Sequence, residues 1–340
     1  MPSAVRRVDI RDVARHAGVS IGTVSNVLNS VPTVSPEYVS RVQDSIQKLG
    51  FVRNDIARQL KAGESKTVSL LVLSSYTSFF SALADAAEEA ADMRGYSVVL
   101  ASSAQSTKRE EKYLDLFEEQ RTRGILLAPI SGVSQRLVDI HERGTPVILL
   151  EKASPTGQFC TVSVDSEAGG YLAAKTLVGD GRRRIAIVGG PYHQVSDRVV
   201  GARRAIAESH SVDQSYMETG DLTISDGRRI GDLIVQMPQE SRPTGIFALN
   251  DLLAIGILDS LLRSSDISIP SDMSIVGHDD IEFSATSRIP LTTIRQPVVE
   301  MAESAIHLVL RESAEGVDHQ HVQQRFEPQL VIRGTTRNHS

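Results

Sequence analysis

The sequence predicts an α/β protein preceded by a small all-α domain, and two observations carry that reading. Within the first fifty residues three short amphipathic segments each begin at a helix-capping residue, and two of them end at glycine. From Lys66 onward, apolar runs alternate with helix-like stretches, the rhythm of βα units built around a parallel sheet. That rhythm breaks and restarts near Thr161, so two sheet-centred subdomains are expected rather than one.

In the head, Asp9 caps a helix and Asp12 stands three residues on, after which Val13, Ala14 and Ala17 recur at helical spacing before Gly18. Ser20 caps a second helix. Its inward stripe is Val24, Val27 and Leu28, and Gly22, Thr23, Ser25 and Asn26 face outward. Ser35-Pro36 opens a third, whose apolar face is Val39, Val42, Ile46 and Leu49 and whose stop is Gly50. Two short helices joined by a turn containing glycine make a helix-turn-helix.

In the body, strands are expected at Thr67–Leu73, Tyr96–Ala101, Gly124–Pro129, Pro146–Glu151, Thr161–Val164, Arg184–Val188, Gly245–Ala248 and Ser274–Gly277. The helices between them are placed at Phe80–Met93, Lys108–Arg121, Ser134–Arg143, Glu167–Val178, Arg198–Glu208, Gly227–Met237 and Leu252–Leu262. Two parallel halves facing one another leave a cleft at the carboxyl ends of their strands, where ligands usually bind.

Charge separates the two parts. Residues 1–63 hold nine Lys and Arg against five Asp and Glu, a net +4, which leaves −10 of the overall −6 to the remainder. A basic head on an acidic body suits a protein of which one part meets phosphate. The single cysteine, Cys160, excludes an intramolecular disulfide and any site of several thiolates, and buried packing is its expected role. The first residues lack an apolar signal segment and no stretch is long enough to span a bilayer, so a cytoplasmic protein without a membrane partner is expected.

Particular residues bring a resemblance to the LacI family of bacterial regulators. They are Val8 to Ala14, Ala17-Gly18-Val19-Ser20, Thr23-Val24-Ser25 with Val27-Leu28-Asn29, and Leu49-Gly50-Phe51 with Asn54, Ala57, Arg58 and Leu60. The body continues it through Gly124-Ile125-Leu126-Leu127, Asp197-Arg198, Ala248-Leu249-Asn250-Asp251, Ile275 to Asp280 and Pro290 to Pro297.

The resemblance implies a helix-turn-helix domain over residues 1–63, with a hinge helix at about 54–61. It implies two parallel-sheet subdomains of the type I periplasmic-binding-protein kind over 64–340, the first being roughly 66–165 plus 294–322 and the second 166–293 plus 323–335. Ile21, Gly22 and Asn26 then lie where bases are read, and Thr23 and Ser25 where phosphates are held. Ser20 and Asn29 flank them. Asn54, Ala57, Arg58, Leu60 and Lys61 fall in the minor-groove hinge, with Leu60 as the wedge between base steps. Gly22 has no side chain and Ile21 no hydrogen-bonding group, so direct readout falls on Asn26 and on apolar contact with thymine methyls.

For the effector, the resemblance points to Phe79, Phe80, Glu151, Lys152, Gln194, Arg198, Asn250 and Asp279. Their chemistry coheres: carboxylates accept from vicinal hydroxyls, Arg198 donates a fork, Asn250 does both, and an aromatic face packs a ring. Leu222 stands where the family often has a stacking aromatic, and the chain has no Trp.

Other signals lead nowhere. His319 and His321 have no Cys or acidic partner at ligand spacing in the chain, so a solvated loop and no metal are expected. Gly179-Asp180-Gly181 and Gly189-Gly190-Pro191 do not form a phosphate loop, and Ser163 lacks a nucleophile elbow, so neither a cofactor nor an enzyme is expected.

The implied protein is a repressor acting on a palindromic operator in double-stranded DNA, released by a small polar effector, a sugar or nucleoside. Minor-groove hinges and two-fold half-sites imply a homodimer, and the short stretch after Arg333 carries no leucine heptad for further assembly. The alternatives are a ligand-binding receptor, which has no use for the basic head, and a regulator that needs a corepressor.

Overall fold

The computed structural model describes residues 8–29, 31–51, 65–75, 77–152, 154, 156–209, 211–264 and 266–337. The chain forms two compact units, Met1–Ser65 and Lys66–Ser340. The expected hinge residues Asn54, Ala57, Arg58, Leu60 and Lys61 lie outside the described residues.

The first unit holds α1 (Ile10–Ala17), α2 (Ile21–Leu28) and α3 (Pro36–Leu49). Asp9 and Asp12 form a reciprocal capping box, and Gly18 ends α1 in the left-handed conformation at φ 63°. Its core is small: Val13, Ala14, Ala17, Val24 and Val42 are buried, and Val27, Leu28, Ile46, Leu49 and Phe51 pack around them. Arg41 of α3 adds a polar clamp, its guanidinium donating to the Ala17 carbonyl at 2.7 Å and so fixing the turn between α1 and α2.

The second unit contains two six-stranded sheets. One is built from β1 (Thr67–Val72), β2 (Ser97–Ser102), β3 (Gly124–Leu127), β4 (Val147–Leu150), β5 (Cys160–Val164) and β11 (Gln323–Phe326), in the order β11-β5-β4-β3-β1-β2. The other takes β6 (Arg184–Val188), β7 (Asp213–Met217), β8 (Gly245–Ala248), β9 (Ser274–Asp279), β10 (Thr292–Arg295) and β12 (Gln329–Val331), in the order β12-β10-β9-β8-β6-β7. Every pairing is parallel except β10 with β12.

Connecting helices are α4 (Ser78–Asp92), α5 (Thr107–Glu119) and α6 (Gln135–Glu142) in the first half. In the second half they are α7 (Ser166–Gly179), α8 (Tyr192–Ala207), α9 (Ile224–Gln236), α10 (Asp251–Leu261) and the short α11 (Glu282–Thr286); α12 (Val298–Glu315) then returns to the first sheet. Central strands are buried on both faces, which is why β3, β4 and β8 read as continuous apolar runs.

Three strand ladders mark where the chain changes halves. It passes from β5 to α7 and β6, returns after β10 through Gln296-Pro297 into α12, and leaves again between Phe326 and Gln329. These points differ from the expected subdomain limits: β10 belongs to the second sheet, whereas the expected first half takes in 294 onward, and β11 pairs with β5, whereas the expected second half resumes at 323. Helix α8 also begins six residues before the expected Arg198, because Pro191 precedes its first turn with a fixed φ of −67°. Among the described residues no helix is long and apolar enough to cross a membrane.

The expectation of a solvated loop at His319 and His321 does not hold. His319 is buried, not solvated, and the pairing of β11 with β5 brings both histidines to Cys160, with Glu312 of α12 beside them.

Candidate functional site

Two faces carry the candidate residues. On the head, Ser20 caps α2 by accepting from the Thr23 amide at 3.0 Å, and its hydroxyl also meets the Thr23 hydroxyl at 2.9 Å. Val24 turns inward and is fully buried, leaving Ile21, Gly22, Asn26 and Asn29 exposed and Thr23 and Ser25 half-buried. Ile21 is 48% exposed at the start of the helix, an apolar side chain with no intramolecular use. Apart from Ile21 the outward set is small and polar or without a side chain, which lets a helix approach the floor of a major groove closely.

In the body, the strand carboxyl ends gather the candidate effector residues. Glu151 directly follows β4, Asn250 and Asp279 end the β8 and β9 segments, and Arg198 projects from α8. Arg198 donates to the Leu249 carbonyl at 2.5 Å and holds its other terminal nitrogen 3.9 Å from the Asp279 carboxylate. The Glu151 carboxyl accepts from the Val164 amide at 3.3 Å. Burial pushes Glu151 up to about 7, opposed by the nearby Arg198 guanidinium and assisted by the Asp279 charge. One acid of the first half and an acid–base pair of the second thus share one field.

Asp279 is the most heavily held of the set. The buried His278 donates to it from Nδ1 at 2.9 Å, and Gln296, on the segment that crosses between the sheets, donates at 2.6 Å. Burial and the Arg198 charge drive His278 down to about 4, so its ring is neutral at physiological pH and can serve as that donor. A cavity of about 590 Å³ opens beside Asp279, with Phe79, Gln296, Pro297 and Phe283 among its walls.

The other expected residues divide. Gln194 donates to Gln105 at 2.6 Å, a hydrogen bond that joins α8 to the loop after β2 across the two halves. Lys152 is half-buried and belongs to the charge environment of Glu151. Asn250 is committed elsewhere: its carbonyl oxygen caps α10 through the Leu253 amide at 2.9 Å, and its amide donates to the Leu222 carbonyl at 3.1 Å. Phe79 and Phe80 are both 8% exposed and meet edge-to-face at 5.1 Å within the core under α4. Phe79 still borders the cavity, whereas Phe80 serves the core and offers no stacking face.

Two contributors were not anticipated. Gln105 carries no local signal, since its role exists only through Gln194. Asp251 is fully buried and accepts from the Ile281 amide at 3.0 Å and from the Ser284 and Thr293 hydroxyls at 2.6 Å each, tying α10 to the loop after β9 and to β10. Burial pushes its carboxyl up to about 7. An acid at the first position of a helix is ordinarily read as a dipole partner, which masks this role.

A helix-turn-helix head and a body of two parallel sheets that brings charged groups of both halves together at strand carboxyl ends define a ligand-responsive DNA-binding regulator. Residues 9–54 match the model for bacterial regulatory proteins of the lacI family, and residues 174–336 match that for a periplasmic binding protein-like domain. The chain is 31% identical over 335 residues to the HTH-type transcriptional repressor PurR of Vibrio parahaemolyticus, covering 96% of this chain and 98% of that one. It is 30% identical over 334 residues to PurR of Aliivibrio fischeri, covering 97% and 98%.

Among solved structures it resembles the Lac repressor dimer bound to operator and the anti-inducer ONPF, at 26% identity and TM-score 0.81, covering 97% of this chain and 99% of that one. It also resembles a LacI family regulator from Enterococcus faecium with bound ribose, at 26% identity and TM-score 0.71, covering 79% and 98%. The chain belongs to the LacI family of bacterial regulatory proteins. It is a DNA-binding transcriptional repressor and not an enzyme.

Proposed function

We propose that this repressor acts in the cytoplasm as a homodimer on a palindromic operator and is released from it by a sugar or nucleoside bound between the two sheets. The observation that carries the reading is the convergence of Glu151, Arg198 and Asp279, charged groups from both halves, with Lys152 in the field of Glu151. Two carboxyls and one guanidinium suit vicinal hydroxyls, and a phosphate would demand a cluster of cations. The relative with bound ribose and a cellobiose complex of the regulator CelR, which the chain resembles at 28% identity and TM-score 0.69, are in keeping with a polyhydroxyl ligand.

On DNA, Asn26 reads base edges, Ile21 meets thymine methyls, Thr23 and Ser25 hold phosphates, and Ser20, Gly22 and Asn29 complete the contacting face. Asn54, Ala57, Arg58, Leu60 and Lys61 enter the minor groove. For the dimer, Val99 and Leu100 on the edge strand β2 and Phe283 after β9 are exposed apolar residues of the kind a second copy would cover.

In the test, genomic fragments are bound to the purified protein and challenged with a panel of sugars and nucleosides in a gel-shift assay. One compound should release the DNA, and Asp279→Ala should bind the same fragment yet ignore that compound. Ligand affinity unchanged in Asp279→Ala would overturn the site.

A further inference from the structure

The body carries a second cluster of ligating groups, remote from the effector residues. Cys160 opens β5, Glu312 lies in the second half of α12, and His319 and His321 stand between α12 and β11. Each offers one ligand atom, and these four atoms lie within 4.8 Å of one another. The Cys160 sulfur is 3.2 Å from Nε2 of His319 and 3.7 Å from Nδ1 of His321. Oε2 of Glu312 is 3.8 Å from the first of those nitrogens and 3.9 Å from the second.

We propose that Cys160, Glu312, His319 and His321 form a tetrahedral site for a divalent transition metal ion of the zinc class.

Three features support this beyond proximity. The first is spacing. Zinc–sulfur bonds of about 2.3 Å and zinc–nitrogen bonds of about 2.0–2.1 Å give tetrahedral S···N edges of roughly 3.5 Å. The observed 3.2 and 3.7 Å bracket that value, the two edges from Glu312 to the histidines need to shorten by roughly half an ångström, and the remaining distances lie within 4.8 Å.

The second is orphaned polarity. Glu312 is only 4% exposed, and its Oε2, the atom facing the cluster, is buried without a hydrogen-bond partner. A buried oxygen left so is costly unless something else satisfies it, and a cation does.

The third is the surrounding shell. Nδ1 of His319 meets Glu315 at 2.6 Å, which leaves Nε2 with its lone pair toward the centre. Glu312 uses its other oxygen on Nε2 of His141 at 2.8 Å, and the Val322 amide donates to the Cys160 sulfur at 3.4 Å. A carboxylate behind a ligating histidine, a buttressed carboxylate and an amide on a thiolate are the outer contacts that orient metal ligands. His321 is half-buried and offers a route for the ion from solvent.

The site is distinct from the effector cleft. Cys160 is level with Ile148 of β4, whereas Glu151 follows that strand at its other end, about 10 Å further along at the usual rise per residue. A metal here would fasten the end of α12 and the edge strand β11 to β5, closing the segment by which the chain re-enters the first sheet.

The test uses the full-length protein, stripped with a chelator and titrated with Co²⁺, then with Zn²⁺ in competition. One Co²⁺ per chain should give intense tetrahedral ligand-field bands with a thiolate-to-cobalt charge-transfer band, and Zn²⁺ should displace it and raise Tm. Cys160→Ser should abolish the charge-transfer band, and His321→Ala, at a half-buried position that folding tolerates, should weaken binding by about tenfold or more. No stoichiometric binding, a pale octahedral spectrum, or binding unaltered in both variants would overturn the proposal.

Discussion

Gly170 lies in α7 where that helix crosses α8, and a methyl group there has nowhere to go. Its Cβ would fall 1.9 Å from the Arg198 carbonyl oxygen and 2.7 Å from the carbonyl carbon, and a Cβ at Gly201 would fall 1.8 Å from the Glu167 carbonyl oxygen. The obstacles are backbone atoms, which cannot rotate aside. A carbon–oxygen contact needs about 3.3 Å, so Gly170→Ala must open the crossing by roughly 1.4 Å. Replacing glycine in a helix gains about 1 kcal/mol when the site is open. Overpacking a tight contact costs about 1–3 kcal/mol, and with backbone on both sides the upper end applies, so a net loss of about 2 kcal/mol is expected.

The displaced carbonyl belongs to Arg198 itself, so the variant should also disturb the guanidinium's approach to Asp279 and weaken effector binding. Gly179, at the end of the same helix with nothing within 4 Å of its Cβ, is the matched control, and Gly179→Ala should be neutral or stabilising. Urea unfolding followed by circular dichroism and effector titration measure both effects. A Gly170→Ala protein as stable as Gly179→Ala, with wild-type effector affinity, would refute the reasoning.

Asn26→Ala should reduce discrimination at one or two base pairs by about 1–3 kcal/mol while sparing nonspecific binding, as read by competition gel shifts; a uniform loss on all sequences would make Asn26 a phosphate contact instead. Arg41→Ala removes the donor to the Ala17 carbonyl and should lower the head's melting point and weaken binding to every DNA sequence alike. For Asp251, whose folded carboxyl is raised to about 7, the folded state holds a proton that the unfolded chain has already released. Its contribution to stability should therefore fall as pH rises from about 4 through 7, at up to about 1.4 kcal/mol per pH unit for this one group, and level off above; Asp251→Asn should remove that part of the slope in urea titrations at pH 5, 6, 7 and 8, leaving the share due to Glu151.

The sequence was most legible where one residue's local chemistry decides the structure. The capping box of Asp9 and Asp12, the glycine stops at Gly18 and Gly50 and the doubly buried strands β3, β4, β6 and β8 all follow from patterns a few residues long. Strand β7, with the sequence Asp213 to Met217, is a partly exposed edge without an apolar run, and it forms only because β6 offers it a ladder. Helix α12 is missing from the expected elements although Met301, Ala302, Ala305, Ile306, Leu308 and Val309 form a buried stripe, a signal that was present to be read.

The expected effector residues at strand ends rest on resemblance, and of them Glu151, Arg198 and Asp279 lie in one another's field. What Asn250 and Phe80 do instead depends on groups far off in sequence, Leu222 and the core under α4. The cysteine–histidine cluster is the extreme case. Its members are about 160 residues apart, and only the β5–β11 pairing unites them.

Asp279 and Asp280 lie side by side with positive φ, 113° and 57°, a conformation costing about 1–3 kcal/mol each for a residue other than glycine. Together they serve opposite ends. Asp280 is bolted by Arg295 at 2.7 Å and Arg333 at 2.6 Å, which fixes the loop after β9 to β10 and to the chain beyond β12. Asp279 is turned the other way, toward Arg198 and toward Gln296, the residue at which the chain leaves the second sheet for the first. Oε1 of Gln296 is buried without a hydrogen-bond partner, so on the proposed site a ligand hydroxyl donating to it or to Asp279 would act directly on the crossing segment. A ligand shifts a conformational equilibrium only by the difference in its affinity for the two states, ordinarily about 1–3 kcal/mol. One hydrogen bond to a charged group is worth about 1.5–3 kcal/mol, so on the proposed site a single bond at Asp279, made in one arrangement of the two sheets and lost in another, would be enough to work a switch of that size.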